Sequence, residues 1–193
     1  MSSHHIVKED QEPALLIIDP HAISFEKIQE LLEWSPTVIV LEEVLPTVLG
    51  WQIKIDLVLC IADHVAVLQK ELLSQAPIQF ISISKQNKSF DAALHYLVDA
   101  KYKAVNILVP NQEYFEAATK ISGIYSEVYF ENKKWSLVKS GHFQKWLPKQ
   151  TQLFIHPKKL YMLKGLTDEF KSLNDGKITI ESDNAFWVGE ELN

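Results

Sequence analysis

The sequence lacks features that several common classes of protein require. Cys60 is the only cysteine among 193 residues, so an intrachain disulfide is excluded and a reducing compartment is the simplest interpretation. No apolar run approaches the ~20 residues that a membrane-spanning helix needs. Residues 1–13 are largely polar and lack the basic and apolar regions of a secretory signal. These absences predict a cytoplasmic location and no interaction with a membrane.

An excess of positive charge is also absent. The chain carries 19 lysine and arginine residues against 25 aspartate and glutamate residues, and its formal net charge is -6 at pH 7. A nucleic-acid partner requires a basic face that neutralises phosphates. The basic clusters here are only short lysine pairs, such as Lys133-Lys134. We therefore expect no nucleic-acid partner.

Short apolar runs alternate with amphipathic segments over the first two-thirds of the chain. The runs at residues 14–18 and 37–41 are continuous, which is typical of strands buried on both faces of a parallel sheet. Residues 90–98 carry the clearest helical stripe, and Ser89 is placed to cap that helix. Strands that are separated by helical stretches of about 10–15 residues predict right-handed βαβ units and a parallel sheet.

The pattern changes near residue 123, after which short strands meet at turns. The triplet Asn174-Asp175-Gly176, for example, is a strong hairpin signal. The sequence therefore predicts an N-terminal Rossmann-like parallel α/β sheet followed by a C-terminal antiparallel β-sandwich. We place the first domain at residues 1–124 and the second at residues 125–193. In an open parallel sheet, ligands bind beyond the carboxyl ends of the strands, so a site is expected there.

The chain resembles the thiamine pyrophosphokinase family over nearly its whole length, and several segments carry this resemblance. They are LLEWSPTVIVLEEVL, GWQIKIDLVLCIAD, KQNKSFDAALHYLVDAKYKAVNILV and the C-terminal LYMLKGL and GKITIESDNAFWVGE. The resemblance implies an α/β domain that binds a nucleotide and a β-sandwich that completes a thiamine pocket across a homodimer. It also implies transfer of a diphosphoryl group from ATP to thiamine with Mg²⁺, so Mg²⁺ and ATP are the expected cofactors if this activity is retained.

The resemblance breaks down at most of the family's catalytic motifs. The Asp-Gly that follows the second strand falls on Glu42-Glu43, and Gly-Asp-x-Asp falls on residues 60–63, where only Asp63 is kept. Asp-x-Thr-Asp falls within residues 86–90 in either of two registers, and both registers lose both aspartates. Arg-x-Asp-His falls on residues 112–116, where Phe115 would place a ring opposite the Asp and Glu116 lies opposite the His.

The resemblance and the strand ends together define the candidate site residues. Four remaining acids could form a reduced metal site, or they could be solvated residues at strand ends and helix starts, where acids are favoured anyway. Trp187 is the candidate for stacking on thiamine, and packing in the core or at a dimer interface is its alternative. The acids are Glu42, Glu43, Asp63 and Asp91, and the nucleotide-binding candidates are Asp19, Asn87, Lys88, Ser89 and Asn111.

Three functional hypotheses follow from the resemblance. The first is a thiamine pyrophosphokinase-like protein with eroded Mg²⁺/ATP motifs, which is inactive or strongly impaired and persists as a homodimeric module that binds thiamine or a nucleotide. The physical reason is that phosphoryl transfer depends on positioning and on Mg²⁺, and the loss of one transition-state contact can cost about 100–1000-fold. The alternatives are an active thiamine pyrophosphokinase with a rearranged acidic site, and a non-catalytic dimerisation partner.

Overall fold

The computed structural model of the chain describes residues 13–83, 89–157, 159 and 161–192. It divides into two compact units, Met1–Glu131 and Asn132–Asn193. The strand Tyr125–Phe130, which was predicted to open the second domain, is grouped with the first unit. The reason is that it pairs in parallel with the preceding strand of that unit.

The first unit contains a parallel sheet, as predicted from the continuous apolar runs. The strand order is β4-β3-β2-β1-β5-β6, and every neighbouring pair in this order is parallel. The central strands β1, β2, β3 and β5 are almost entirely buried, since helices cover a parallel sheet on both faces. The strands are β1 Ala14–Ile17, β2 Val38–Leu41, β3 Leu57–Ile61, β4 Gln79–Ile83, β5 Ala104–Leu108 and β6 Tyr125–Phe130.

In the described part of the chain, five α-helices connect these strands, and local sequence signals account for where two of them begin. Ser24 caps the first helix by accepting from the Lys27 N–H, and Asn111 caps the last. Ser89, predicted as the cap of the fourth helix, is instead its first residue. The helices are α1 Phe25–Leu32, α2 Leu45–Leu49, α3 Val65–Glu71, α4 Ser89–Asp99 and α5 Gln112–Ala118. Within the described ranges, no helix is long and apolar enough to cross a membrane.

The strand order reverses its direction at β1. The chain runs from β1 through β2 and β3 to β4, and then returns to β5 on the other side of β1. Right-handed crossovers consequently place α4 and α5 together on one face of the sheet, and these two helices are in contact. The crevice at the carboxyl ends of β1 and β5 is therefore the topological switch point, where such folds bind ligands.

The second unit is antiparallel, and it confirms the predicted change of architecture. Its strands form two groups, β7-β12-β9 and β10-β11-β8. Apolar side chains from both groups form one buried cluster, which includes Leu147, Ile180 and Phe186, so the two groups pack face to face. The strands are β7 Lys133–Val138, β8 His142–Leu147, β9 Leu153–His156, β10 Met162–Lys164, β11 Gly176–Glu181 and β12 Phe186–Glu191.

One glycine of this unit is required by close packing. Gly189 pairs with Trp135 across β12 and β7. A Cβ atom at position 189 would lie 2.9 Å from the Trp135 ring, closer than real contacts allow. The Trp135 ring therefore packs directly on the backbone of β12, and any larger residue at position 189 would displace it.

Candidate functional site

The first unit has a cleft of ≈ 370 Å³ at the switch point of its sheet. Its walls come from the residues that follow β1, β2 and β5 and from the first turns of α4 and α5. The volume falls within the range of small-molecule sites, roughly 300–1,000 Å³. The polar side chains on its walls are Glu43, Ser89, Asp91 and Glu113, and its rings are Phe90 and Tyr114.

Glu43 and Ser89 connect the end of β2 to the start of α4. The Ser89 hydroxyl donates to Glu43 Oε1 at 2.7 Å. Because serine is neutral, this hydrogen bond orients the carboxylate without neutralising its charge. Asp91 stands in the first turn of the same helix, where a negative charge is favoured by the helix dipole. Two of the four predicted acids therefore line the cleft.

The rings of Phe90 and Tyr114 form a pair between α4 and α5. Their centroids are 5.0 Å apart, and the ring planes are inclined by 48°. Phe90 is buried and Tyr114 is half-buried, so this pair gives the cleft a partly apolar wall. Tilted pairs at this separation are favourable beyond the area that they bury.

The side chain of Glu42, next to Glu43 in sequence, faces the end of β3 and not the cleft. Its Oε2 accepts from the Ile61 N–H at 3.0 Å, and its Oε1 lies 2.5 Å from His64 Nδ1. The Glu42 carboxylate is thus held at the end of β3. It is not among the residues that line the cleft.

Asp63 is the fourth predicted acid, and it also lies away from the cleft lining. It belongs to the single turn of 3₁₀ helix at Ala62–His64 and is exposed. The structure therefore separates Glu42 and Asp63 from Glu43 and Asp91. Among the residues described, no three His, Cys, Asp or Glu side chains are grouped to hold a metal ion.

Comparison with known proteins identifies the architecture. No protein-family model matches the chain, and a search of curated proteins finds no match either. Among solved structures, thiamine pyrophosphokinase from Bacillus subtilis matches with a TM-score of 0.69 at 9% identity, covering 94% of this chain and 99% of that one. The chain has the thiamine pyrophosphokinase fold.

Two further structures support this conclusion. Thiamin pyrophosphokinase from Candida albicans matches with a TM-score of 0.64 at 10% identity, covering 94% of this chain and 90% of that one. A probable thiamine pyrophosphokinase from Staphylococcus saprophyticus matches with a TM-score of 0.57 at 12% identity, covering 94% and 99%. At these identities the comparison establishes the fold and leaves the chemistry to be argued from the site.

Three of the nucleotide-binding candidates, Asp19, Ser89 and Asn111, lie in the described part of the chain, and each makes a hydrogen bond within the protein. Asp19 Oδ1 accepts from the His21 N–H at 2.9 Å in the turn after β1. Asn111 Oδ1 accepts from the N–H groups of residues 113 and 114 at the start of α5. Ser89 donates to Glu43, as described above. Asn87 and Lys88 lie outside the described residues.

Two aromatic residues singled out by the resemblance are buried. Phe115 was expected to place a ring in the cleft, and this expectation is wrong. Its side chain is fully buried and stacks on Phe130 at 5.1 Å, because it occupies the inward face of α5. Trp187 is only 4% exposed, which favours packing over an open stacking surface, although its role toward thiamine stays a prediction.

Cys60 behaves as a packing residue of β3. Its side chain is fully buried. Burial raises the pKa of the Cys60 thiol, and the nearby charge of Glu42 raises it further. Both effects disfavour the thiolate, which is the reactive form of cysteine.

Among the charged and aromatic residues that line the cleft, Phe90, Glu113 and Tyr114 were not predicted as site residues. Phe90 belongs to the apolar stripe of α4, so its periodicity indicated core, and it is indeed 5% exposed. Glu113 and Tyr114 follow the carboxyl end of β5 by only a few residues. Their position in the first turn of a helix at the switch point is the signal that could have identified them.

The described residues do not fit a magnesium–nucleotide complex. Mg²⁺ requires near-octahedral oxygen ligands, usually carboxylates together with substrate phosphates. The cleft brings in Glu43 and Asp91 but not Glu42 or Asp63, and its described walls contain no lysine or arginine. We therefore derive no reaction step through Mg²⁺ or ATP.

Proposed function

We propose that this chain is a binding protein with the thiamine pyrophosphokinase fold, in which diphosphoryl transfer is lost or strongly impaired. The observation that carries the proposal is the position of Glu42. Its two carboxylate oxygens face the Ile61 N–H and His64, at the end of β3 and outside the cleft lining. An acid engaged in this way is not directed toward a ligand at the switch point.

Diphosphoryl transfer would require several groups of the site to act together. Phosphoryl transfer is catalysed mainly by positioning and by neutralising charge with Mg²⁺. The loss of one such contact can cost about 100–1000-fold in rate. The cleft has two of the four candidate acids, so several contacts are missing at once. A rate at the level of an active enzyme is therefore not expected.

The direct test is an assay of thiamine diphosphate formation. Purified protein is incubated with ATP, Mg²⁺ and thiamine, and the product is quantified by chromatography. We expect no product above a control without protein, while the Bacillus subtilis enzyme assayed in parallel forms it. Ordinary turnover by this chain would refute the proposal.

The same assay addresses the alternative of an active enzyme with a rearranged acidic site. Glu43 and Asp91 share the cleft, so they are the residues that such an enzyme would use. If product forms, the substitutions Glu43→Gln and Asp91→Asn should abolish it. Turnover that survives both substitutions would place the activity elsewhere in the chain.

We further propose that the chain forms a homodimer, as the resemblance implies. The second unit leaves large apolar side chains on its surface, among them Trp146 at 63% and Met162 at 67% exposure. Apolar groups of this size are enriched at interfaces. Light scattering coupled to size-exclusion chromatography should give twice the mass of 22.1 kDa. A monomeric mass at micromolar concentration would exclude the homodimer and the role of a self-associating module.

A further inference from the structure

We propose that the outer edge of β4 is a docking surface for β4 of a second copy of this chain, so that the parallel sheets of two copies join across a twofold axis. β4 stands at the end of the strand order, and of the strands that the structure describes it pairs with β3 alone. The backbone N–H and C=O groups on its other side therefore have no strand partner in the described part of the chain. An open edge of this kind is a template for another strand.

The sequence around β4 carries no charge. Residues 72–84 contain only apolar side chains, serine, glutamine and one proline, and the nearest charged residues along the chain are Glu71 and Lys85. Residues 78–83 read IQFISI, and short segments with high β propensity, no charge and no proline pair readily with copies of themselves. Like charges placed directly opposite each other destabilise a strand pair. β4 can meet its own copy without that repulsion.

The other edge strands differ from β4 in this respect. They are β8, β9 and β10. β8 contains His142 and Lys145, β10 contains Lys164, and β9 ends at His156. Charged side chains on an edge, lysine above all, protect it from pairing with another chain. Because β4 has no such residue, it is the edge at which a second strand meets the least resistance.

Side chains on both faces of β4 are accessible. Gln79 and Ser82 are exposed, and Phe80 and Ile81 are half-buried. Successive residues of a strand point to opposite faces, so Phe80 and Ile81 lie on different faces of the sheet. A strand added at this edge would remove part of both apolar side chains from water, which adds to the main-chain hydrogen bonds.

The start of β4 is held in place by the loop before β3. The Lys54 ammonium donates to the carbonyl oxygens of Gln75 and Pro77, both at 2.6 Å, and the Gln79 N–H donates to the carbonyl oxygen of Asp56 at 2.9 Å. The strand is thus presented in a fixed, extended form, which lowers the entropy that pairing has to remove. A second copy would therefore add its strand to the edge, and β4 would not be exchanged between copies.

The twofold axis makes the pairing antiparallel and self-complementary. With Ile81, the middle residue of β4, on the axis, Ile81 faces its own copy and Phe80 lies opposite the partner's Ser82. Because β4 has only 5 residues, the interface is small, and small interfaces are weak. We expect a dissociation constant between about 10 μM and 1 mM.

Hydrogen–deuterium exchange of the full chain tests the proposal directly. Exchange is measured at protein concentrations below and above the expected dissociation constant. The β4 amides that face away from β3 should exchange about tenfold more slowly at the high concentration, whereas β9, an edge strand of the second unit, should not change. Exchange in β4 that does not depend on concentration would overturn the second copy as the occupant of this edge.

Two double variants assign the association to the edge by sedimentation velocity. Gln79→Lys/Ser82→Lys places charges on β4 and should weaken association at least about tenfold. Gln29→Lys/Ser122→Lys is the matched control, because it changes the same residue types at exposed positions outside β4, and it should associate like the unsubstituted chain. Circular dichroism and thermal unfolding verify that both variants are folded. Equal weakening by both would mean that net charge alone is responsible, and the assignment to β4 would be wrong.

A further variant separates this interface from the homodimer proposed above. Trp146→Ser changes the surface of the second unit and should leave the protection of β4 unchanged. Loss of that protection would mean that the second unit carries the association, and the inference would fail. Assembly that grows without limit and binds thioflavin T would show that β4 leaves its sheet for a fibril, which would overturn the inference as well.

Discussion

We expect the carboxyl edge of the first unit and the interior of the second unit to respond differently to a change of residue. At the edge, Glu42 and Glu43 stand where the resemblance expects other residues, and the strands behind them are intact. In the second unit, Phe186 is fully buried and Gly189 leaves no space for a methyl group. We therefore expect substitutions at an exposed strand end to disturb the fold less than substitutions in the buried core.

The largest effect is expected from Phe186→Ala in the buried cluster of the second unit. Truncation removes apolar contacts and leaves a cavity, which typically lowers the free energy of unfolding by about 3–5 kcal/mol. Urea denaturation followed by tryptophan fluorescence measures the loss. A decrease below about 1 kcal/mol would mean that this cluster is not tightly packed.

Gly189→Ala tests whether the second unit is intolerant of added atoms as well. The new Cβ would lie 2.9 Å from the Trp135 ring, so we expect a destabilisation of about 1–3 kcal/mol. The same substitution in a Trp135→Phe background should cost less, because the smaller ring relieves the overlap. A double-mutant cycle by urea denaturation measures the difference, and strict additivity would exclude this contact as the cause.

Because the Tyr129 side chain is buried, we expect the protein to lose stability at alkaline pH. Burial raises the pKa of Tyr129 strongly. The Tyr129 hydroxyl donates a hydrogen bond to Glu127 Oε2 at 2.9 Å, and the negative charge of Glu127 raises this pKa further. Above the unfolded pKa of about 10, the unfolded chain releases this proton while the folded chain keeps it, so stability falls as pH rises. One pH unit above that value the loss is about 1.4 kcal/mol.

Tyr129→Phe is the matched variant for this effect. It lacks the ionisable hydroxyl, so its free energy of unfolding should depend less on pH between about 9 and 11 than that of the unsubstituted chain. Urea denaturation at a series of pH values provides the measurement. Parallel curves for the two proteins would show that another group causes the alkaline loss.

The smallest effect is expected at the edge itself. Glu42→Gln keeps the shape of the side chain but removes the charge opposite His64, and it should cost about 1 kcal/mol or less because the pair is partly exposed. Asp63→Asn, on the exposed turn, should stay within about 0.5 kcal/mol. If either variant unfolded the protein, the contrast between edge and interior would be lost.

Much of the fold could be predicted because burial leaves a local signature. The runs at residues 14–18 and 37–41 became central strands, and the stripe at residues 90–98 became α4. The change to antiparallel structure was also visible in the turn residues. The parallel pairing of β6 with β5 could not be predicted from the sequence, because a single strand does not encode the direction of its neighbour.

The candidate site was predicted only in part, because the direction of a side chain at a strand end depends on distant residues. Glu42 and Glu43 are adjacent, yet one faces the end of β3 and the other faces Ser89. The partners lie 19 and 46 positions away, so no local pattern could assign them. For the same reason, Phe115 was expected in the cleft and lies instead against Phe130.

Composition and periodicity were thus sufficient for the two architectures and for the edge of the sheet where a ligand would bind. The folded chain alone resolved which carboxylates share a cleft, which ring pair faces them, and which acids are held elsewhere. The physical reason is that burial repeats along the chain with the period of a helix or a strand, whereas a binding site is assembled from residues that the crossovers bring together from separate strands and helices.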